Sequence, residues 1–160
     1  MSALNFRHSL KALAFLLSVL LLTSCVTTSP LGPQPAKSPN DDYTYRLLTL
    51  DNALEVLLIS DPDAPKAAAA LDILVGSGDN PRGRAGLAHF REHRLFLGTE
   101  KYPDAAEYGR FITEHGGSRN AYTSFENTNY YFDVNSDDLP VALDRFAQFF
   151  ISPRWDAQER

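Results

Sequence analysis

Apolar residues repeat with two different periods along this chain, and the switches between them predict its elements. The runs Tyr43 to Leu50 and Leu54 to Ser60 are rich in β-branched, aromatic and aliphatic residues and are separated by Asp51-Asn52, which predicts a hairpin. Ala67 to Val75 reads as a third strand. Beyond a stretch around residues 86–99 comes Pro103 to His115, a predicted helix with proline in its first turn and Gly116-Gly117 at its end. Ala105, Tyr108, Phe111 and Ile112 share one face of it. The runs Arg119 to Ser124 and Thr128 to Val134 return to strand character. Ser136 or Asp137 can then cap a further helix in which Leu139, Leu143, Phe146 and Phe150 recur at helical spacing until Pro153. That aromatic stripe reads as core. With a helix over the motif described below, the order is three strands, two helices, two strands and a helix. It predicts an α+β fold, a mixed or antiparallel sheet with helices packed on one face.

The first 24 residues belong to targeting. Arg7 and Lys11 precede the apolar run Ala12 to Leu22, which is short for a membrane span and suits the apolar region of a signal peptide. Leu22-Thr23-Ser24-Cys25 resembles a bacterial lipobox, whose cysteine is acylated and becomes the mature N-terminus. Val26 rather than Asp follows it, which by resemblance to lipoprotein sorting implies the bacterial outer membrane, with the protein facing the periplasm. Residues 25–42 are rich in Thr, Ser, Pro, Asn and Asp and read as an acylated N-terminus and flexible tether; residues 43–160 are the folded part.

Charge and cysteine content narrow the chemistry. Removing residues 1–24 takes away Arg7 and Lys11 and no acid, moving the formal net charge from −5 to −7. An acidic domain with no basic block excludes nucleic acid as a partner and leaves a lipid, not charge, to hold the protein at a membrane. Cys25 is the only cysteine. Once it is acylated, any metal must be held by nitrogen and oxygen. Gly76-x-Gly78 lacks the third glycine and the Lys-Ser/Thr of a phosphate loop, because Pro81 stands in the glycine's place.

The candidate chemistry lies in His89-Phe90-Arg91-Glu92-His93. On a helix, positions i and i+4 lie one turn apart on the same face, so both imidazoles can converge on one cation such as Zn²⁺. Glu92 projects beside them, where a carboxylate can take a proton from water. His-x-x-Glu-His arises by accident on the order of a few times per thousand chains of this length. His115, at the end of its own helix, suits the helix dipole as a capping group rather than a ligand.

Gly86-Leu87-Ala88-His89 through Leu97-Gly98-Thr99 resembles the active-site helix of the insulinase/pitrilysin family of zinc peptidases, the inverzincins. Leu50 to Leu54, Gly76-Ser77-Gly78, Lys101-Tyr102-Pro103, His115 to Thr123 and Asn129-Tyr130-Tyr131-Phe132 resemble further family segments in the same order. The resemblance runs from about Tyr43 to Arg160. It implies a zinc metalloendopeptidase in which His89 and His93 bind Zn²⁺ and Glu92 activates water. It also implies that Asn120-Ala121-Tyr122 lie on an edge strand that binds the backbone of a peptide substrate. A second, similar domain or subunit would enclose the peptide. The family's third zinc ligand, a glutamate, is expected beyond residue 160. None of Glu100, Glu107, Glu114, Glu126 and Glu159 matches it, so a C-terminally incomplete domain is expected.

Two positions depart from the family. Ala53 stands where glycine usually follows the Asn, which predicts different turn dihedrals. Arg91 and Arg94 replace aliphatic residues or Met. At 100° per residue from His89 they fall at about 200° and about 140°, away from the metal face. Leu87, Phe90, Leu95, Phe96 and Leu97 predict a helix buried on most sides, where unpaired arginines would cost several kcal/mol. Either that face is open, or acids pair with the arginines, or the sequence is damaged. The alternative to an active peptidase is therefore a catalytically inactive, peptidase-like lipoprotein fragment or subunit. A lipoprotein interaction module in which the helix is only structural would contain no stoichiometric metal.

Overall fold

A computed structural model describes residues 35–155. The predicted export signal, Cys25 and the first part of the tether lie outside the described residues. The chain divides after Asp61 into two units.

In the first unit, β1 (Thr44–Thr49) and β2 (Glu55–Ser60) form an antiparallel hairpin with Leu47 opposite Leu57. The Ala53 N–H donates to Leu50 O (2.8 Å) and the Leu50 N–H to Leu54 O (2.9 Å), closing the turn. Ala53 has φ of 64°, inside the left-handed region that glycine favours. The expectation of different dihedrals is thereby corrected: alanine accepts the glycine-type conformation. The Asn52 side chain assists, its Oδ1 accepting from the Leu54 N–H at 3.2 Å.

The second unit holds β3 (Lys66–Ile73), α1 (Leu87–Leu95), α2 (Glu107–Glu114), β4 (Ser118–Thr123), β5 (Thr128–Asn135) and α3 (Leu139–Ile151). Its sheet is antiparallel throughout, in the order β3-β5-β4, so among the described residues β4 is an edge strand. In β5, Thr128, Tyr130, Phe132 and Val134 are buried while Asn129, Tyr131, Asp133 and Asn135 face outward. Helices cover the buried face. Leu95 of α1, Tyr108 and Ile112 of α2, and Ala142, Phe146 and Phe149 of α3 complete the core with β5. The aromatic rings meet edge to face, as Tyr108 and Phe149 do at 4.9 Å between centroids. The predicted α+β architecture with helices on one face is what forms.

Several boundaries differ from prediction for local reasons. β3 ends at Ile73 rather than Val75. Pro103 lies outside α2, because Asp104 accepts the Ala106 N–H (2.9 Å) and the Arg110 guanidinium (3.1 Å), spending residues 103–106 on a turn. Ala105 is exposed there. Ser136 and Asp137 enter a 3-10 turn, and α3 begins after Asp138 with no side-chain cap. Leu143 is exposed; Ala142, Phe146 and Phe149 carry the buried face instead, flanked by Leu139 and Phe150. α2 closes as expected at Gly116-Gly117. Gly116 (φ 72°) donates to Thr113 O and Gly117 to Ile112 O, the paired bonds of a Schellman cap.

Candidate metal centre

The site is built on α1, whose start is fixed from outside. Gly86 turns the chain with φ of 84°, and the free N–H of Ala88 in the first turn donates to Asn80 Oδ1 at 2.9 Å. Arg94 lies in the last turn, where its positive charge meets the helix dipole favourably. From this helix His89 and His93 both reach solvent, and their Nε2 atoms stand 3.0 Å apart with the rings tilted at 61°. In a tetrahedral zinc site two imidazole nitrogens lie about 3.3 Å apart. The pair therefore has the bite that one divalent ion requires. Glu92 is buried, and one ligand atom from each of His89, Glu92 and His93 falls within 4.8 Å of the others. The two imidazoles are donors of the kind a catalytic zinc site uses, and the carboxylate beside them is placed to take a proton from water.

Glu92 is positioned from the sheet. Thr123, the last residue of β4, donates its hydroxyl to Glu92 Oε2 at 2.5 Å, leaving Oε1 without a protein partner among the described residues. Nearby, the Thr128 hydroxyl donates to Val75 O at 2.9 Å, so it does not compete for Glu92. Tyr130 of β5 lies near enough to feel the charge of Glu92. Burial, reinforced by the charge of Glu92, pushes its hydroxyl up to about 12, so it remains a neutral phenol.

The other predicted residues sort clearly. Asn120, Ala121 and Tyr122 lie on β4, the edge strand; Asn120 and Tyr122 are exposed and Ala121 is half-buried toward the helices. His115 stays out of the cluster: it terminates α2, its Nδ1 is 2.7 Å from Phe111 O, and its ring stacks on Phe111. Arg91 is exposed with its guanidinium over the Trp155 ring, while Arg94 is buried against Phe90. The expectation that α1 is buried on most sides is corrected, since Phe90 and Leu97 are 55% and 41% exposed. Sequence reasoning missed Thr123 and Tyr130 as neighbours of Glu92. The alternation Ala121, Thr123 is the signal that places the threonine on the inward face. Among the described residues no helix is long and apolar enough to cross a membrane.

Known proteins resemble this chain in sequence and fold. The family model described as "Insulinase (Peptidase family M16)" matches residues 55–160. Insulin-degrading enzyme of Homo sapiens is 56% identical over 126 residues, which is 79% of this chain and 12% of that protein. The A-factor-processing enzyme of Saccharomyces cerevisiae is 53% identical over 113 residues, 71% of this chain and 11% of that protein. Among solved structures, pitrilysin superposes with a TM-score of 0.77 at 40% identity, over 80% of this chain and 14% of its own. The chain thus spans about an eighth of the length of the curated relatives it matches.

Proposed function

The chain belongs to the insulinase family of peptidases, M16, and from that premise we propose that it forms the metal-binding part of a zinc-dependent endopeptidase. The observation that carries this reading is the meeting of the His89 and His93 Nε2 atoms beside the buried Glu92 carboxylate. His89 and His93 are assigned to hold the ion and Glu92 to act as general base. The chemistry a bound zinc supplies is Lewis acidity, which acidifies water and polarises a carbonyl oxygen. Glu92 takes a proton from the attacking water through Oε1 while Thr123 holds Oε2. It hands that proton to the departing nitrogen as the C–N bond breaks, so the water's remaining OH ends on the acyl carbon. The free edge of β4, with Asn120, Ala121 and Tyr122, pairs with the backbone of the peptide substrate.

Because the chain spans 12–13% of these relatives, a second peptidase-like domain or subunit is proposed to complete the peptide chamber. The sequence features of residues 1–25 support a lipoprotein anchored through acylated Cys25 to the outer membrane and facing the periplasm. In that reading residues 25–42 are the tether.

Zinc analysis and peptide hydrolysis test the central assignment together. The protein should carry stoichiometric zinc, and Glu92→Gln should keep the metal while losing ~10²- to 10⁴-fold in turnover. A protein without zinc, or unchanged turnover in the variant, refutes it. Bound zinc with no hydrolysis by the unsubstituted protein would instead identify a non-catalytic, peptidase-like subunit.

A further inference from the structure

Side chains alternate along a strand, so Arg119, Ala121 and Thr123 share the face of β4 that looks toward the helices. One end of this row is Thr123, which touches Glu92. At the other end, the Arg119 guanidinium lies over the rings of Phe96 (5.0 Å) and Tyr108 (5.5 Å). α2 makes room for it with Gly109, where a Cβ would stand 2.6 Å from Arg119 Nη2. The side chain is nonetheless exposed, and among the described residues no carboxylate or carbonyl takes its N–H groups. Other arginines of the same unit are spent on acids: Arg110 on Asp104 and Arg145 on Glu107. Stacking on rings uses the faces of a guanidinium and leaves its five in-plane donors available.

We infer that Arg119 is a subsite for an acidic side chain of the peptide substrate. The inference rests on the reading of β4 as the strand that pairs with substrate. Strand residues rise ~3.3 Å each, so Arg119 lies ~13 Å along β4 from Thr123. A peptide added to that edge presents one side chain to Arg119 and another, four residues away, beside Glu92. Asp or Glu at the first place accepts two parallel N–H bonds from a fork already held in position by Phe96 and Tyr108. Lys or Arg there meets like charge and is disfavoured.

The test uses the zinc-loaded Glu92→Gln protein, so that peptides stay intact, and labelled peptides in which a single glutamate is moved one position at a time, each with a glutamine twin. Fluorescence anisotropy should show one register where glutamate binds about fivefold more tightly than glutamine, with the difference shrinking in salt. Adding Arg119→Gln should abolish that difference and leave the affinity for the glutamine peptides unchanged; Arg119→Lys should retain part of it. Equal affinities within every pair overturn the subsite, as does a preference that survives Arg119→Gln. Equal weakening of all peptides by that change also overturns it, because it marks a packing role on Phe96 and Tyr108. Failure of the parent reading appears separately, as absent hydrolysis by the unsubstituted protein.

Discussion

Thr123 Oγ1 donates to Glu92 Oε2 across 2.5 Å, so the end of the edge strand and the helix carrying the two histidines share one hydrogen bond. The bond restrains the Glu92 carboxylate through one of its two oxygens. Thr123→Val keeps the shape and removes the donor, leaving the buried Glu92 free to turn. Its expected effect is a fall in kcat of ~10- to 100-fold, the usual scale for partners that orient a metal site, with zinc content and KM little changed. Thr123→Ser should restore most of the loss. A Val variant with full kcat would show that Glu92 needs no help from the sheet.

The histidine pair leads to a metal-removal prediction. With Nε2 atoms 3.0 Å apart on one helix face, His89 and His93 act as one bidentate clamp, and neither alone satisfies a divalent ion. His89→Ala and His93→Ala should each weaken zinc binding by more than ~100-fold in competition with a chromophoric chelator. His115→Ala should leave zinc affinity unchanged, because that ring is engaged with Phe111 at the end of α2. Zinc lost equally from all three variants would place the ion elsewhere.

The spacing of His89, Glu92 and His93 made the site visible in the sequence, since helical geometry alone brings i and i+4 together. Thr123 was hidden because its bond to Glu92 spans 31 residues and exists only once β4 packs beside α1. The same distinction runs through the fold. Local signals placed the hairpin and the Gly116-Gly117 cap. Asp104 took over the first turn of the predicted second helix through bonds to Ala106 and Arg110 that apolar periodicity does not register. Leu143 fitted the helical repeat, yet the face that meets β5 is set by Ala142, Phe146 and Phe149, a choice made by the sheet. An all-round apolar helix would bury both Arg91 and Arg94, whereas Arg91 lies exposed and only Arg94 is buried, against Phe90.

Ala53 holds a conformation that an L side chain resists. A left-handed φ costs a non-glycine residue roughly 1–2 kcal/mol, partly offset in glycine by its greater unfolded freedom. Ala53→Gly should therefore stabilise the β1–β2 turn by about 0.5–1 kcal/mol. Amide hydrogen exchange at Leu50 and Ala53, the two donors that close the turn, should slow by about two- to fivefold. Faster exchange would mean that the turn relaxes in solution to dihedrals that alanine prefers.

Asp133 predicts how the sheet responds to acid. Its carboxylate accepts from the Ser118 hydroxyl and backbone N–H and from Lys66 Nζ, tying β5 to both neighbouring strands. These partners, Ser118 first, hold its pKa below the ordinary 3.8. A depressed folded-state pKa means that the unfolded chain binds the proton first. The contribution of Asp133 is therefore complete above the ordinary carboxylate range and is lost as pH falls through about 4 and below. Urea denaturation at pH 7 and pH 3 should show a smaller loss of midpoint in Asp133→Asn than in the unsubstituted protein, with the two curves converging in acid. If the variant loses as much midpoint between those pH values as its parent, the clasp across β3, β5 and β4 contributes nothing to acid sensitivity, and the exposed pairs of Asp104 with Arg110 and Asp144 with Lys101 become the candidates to test next.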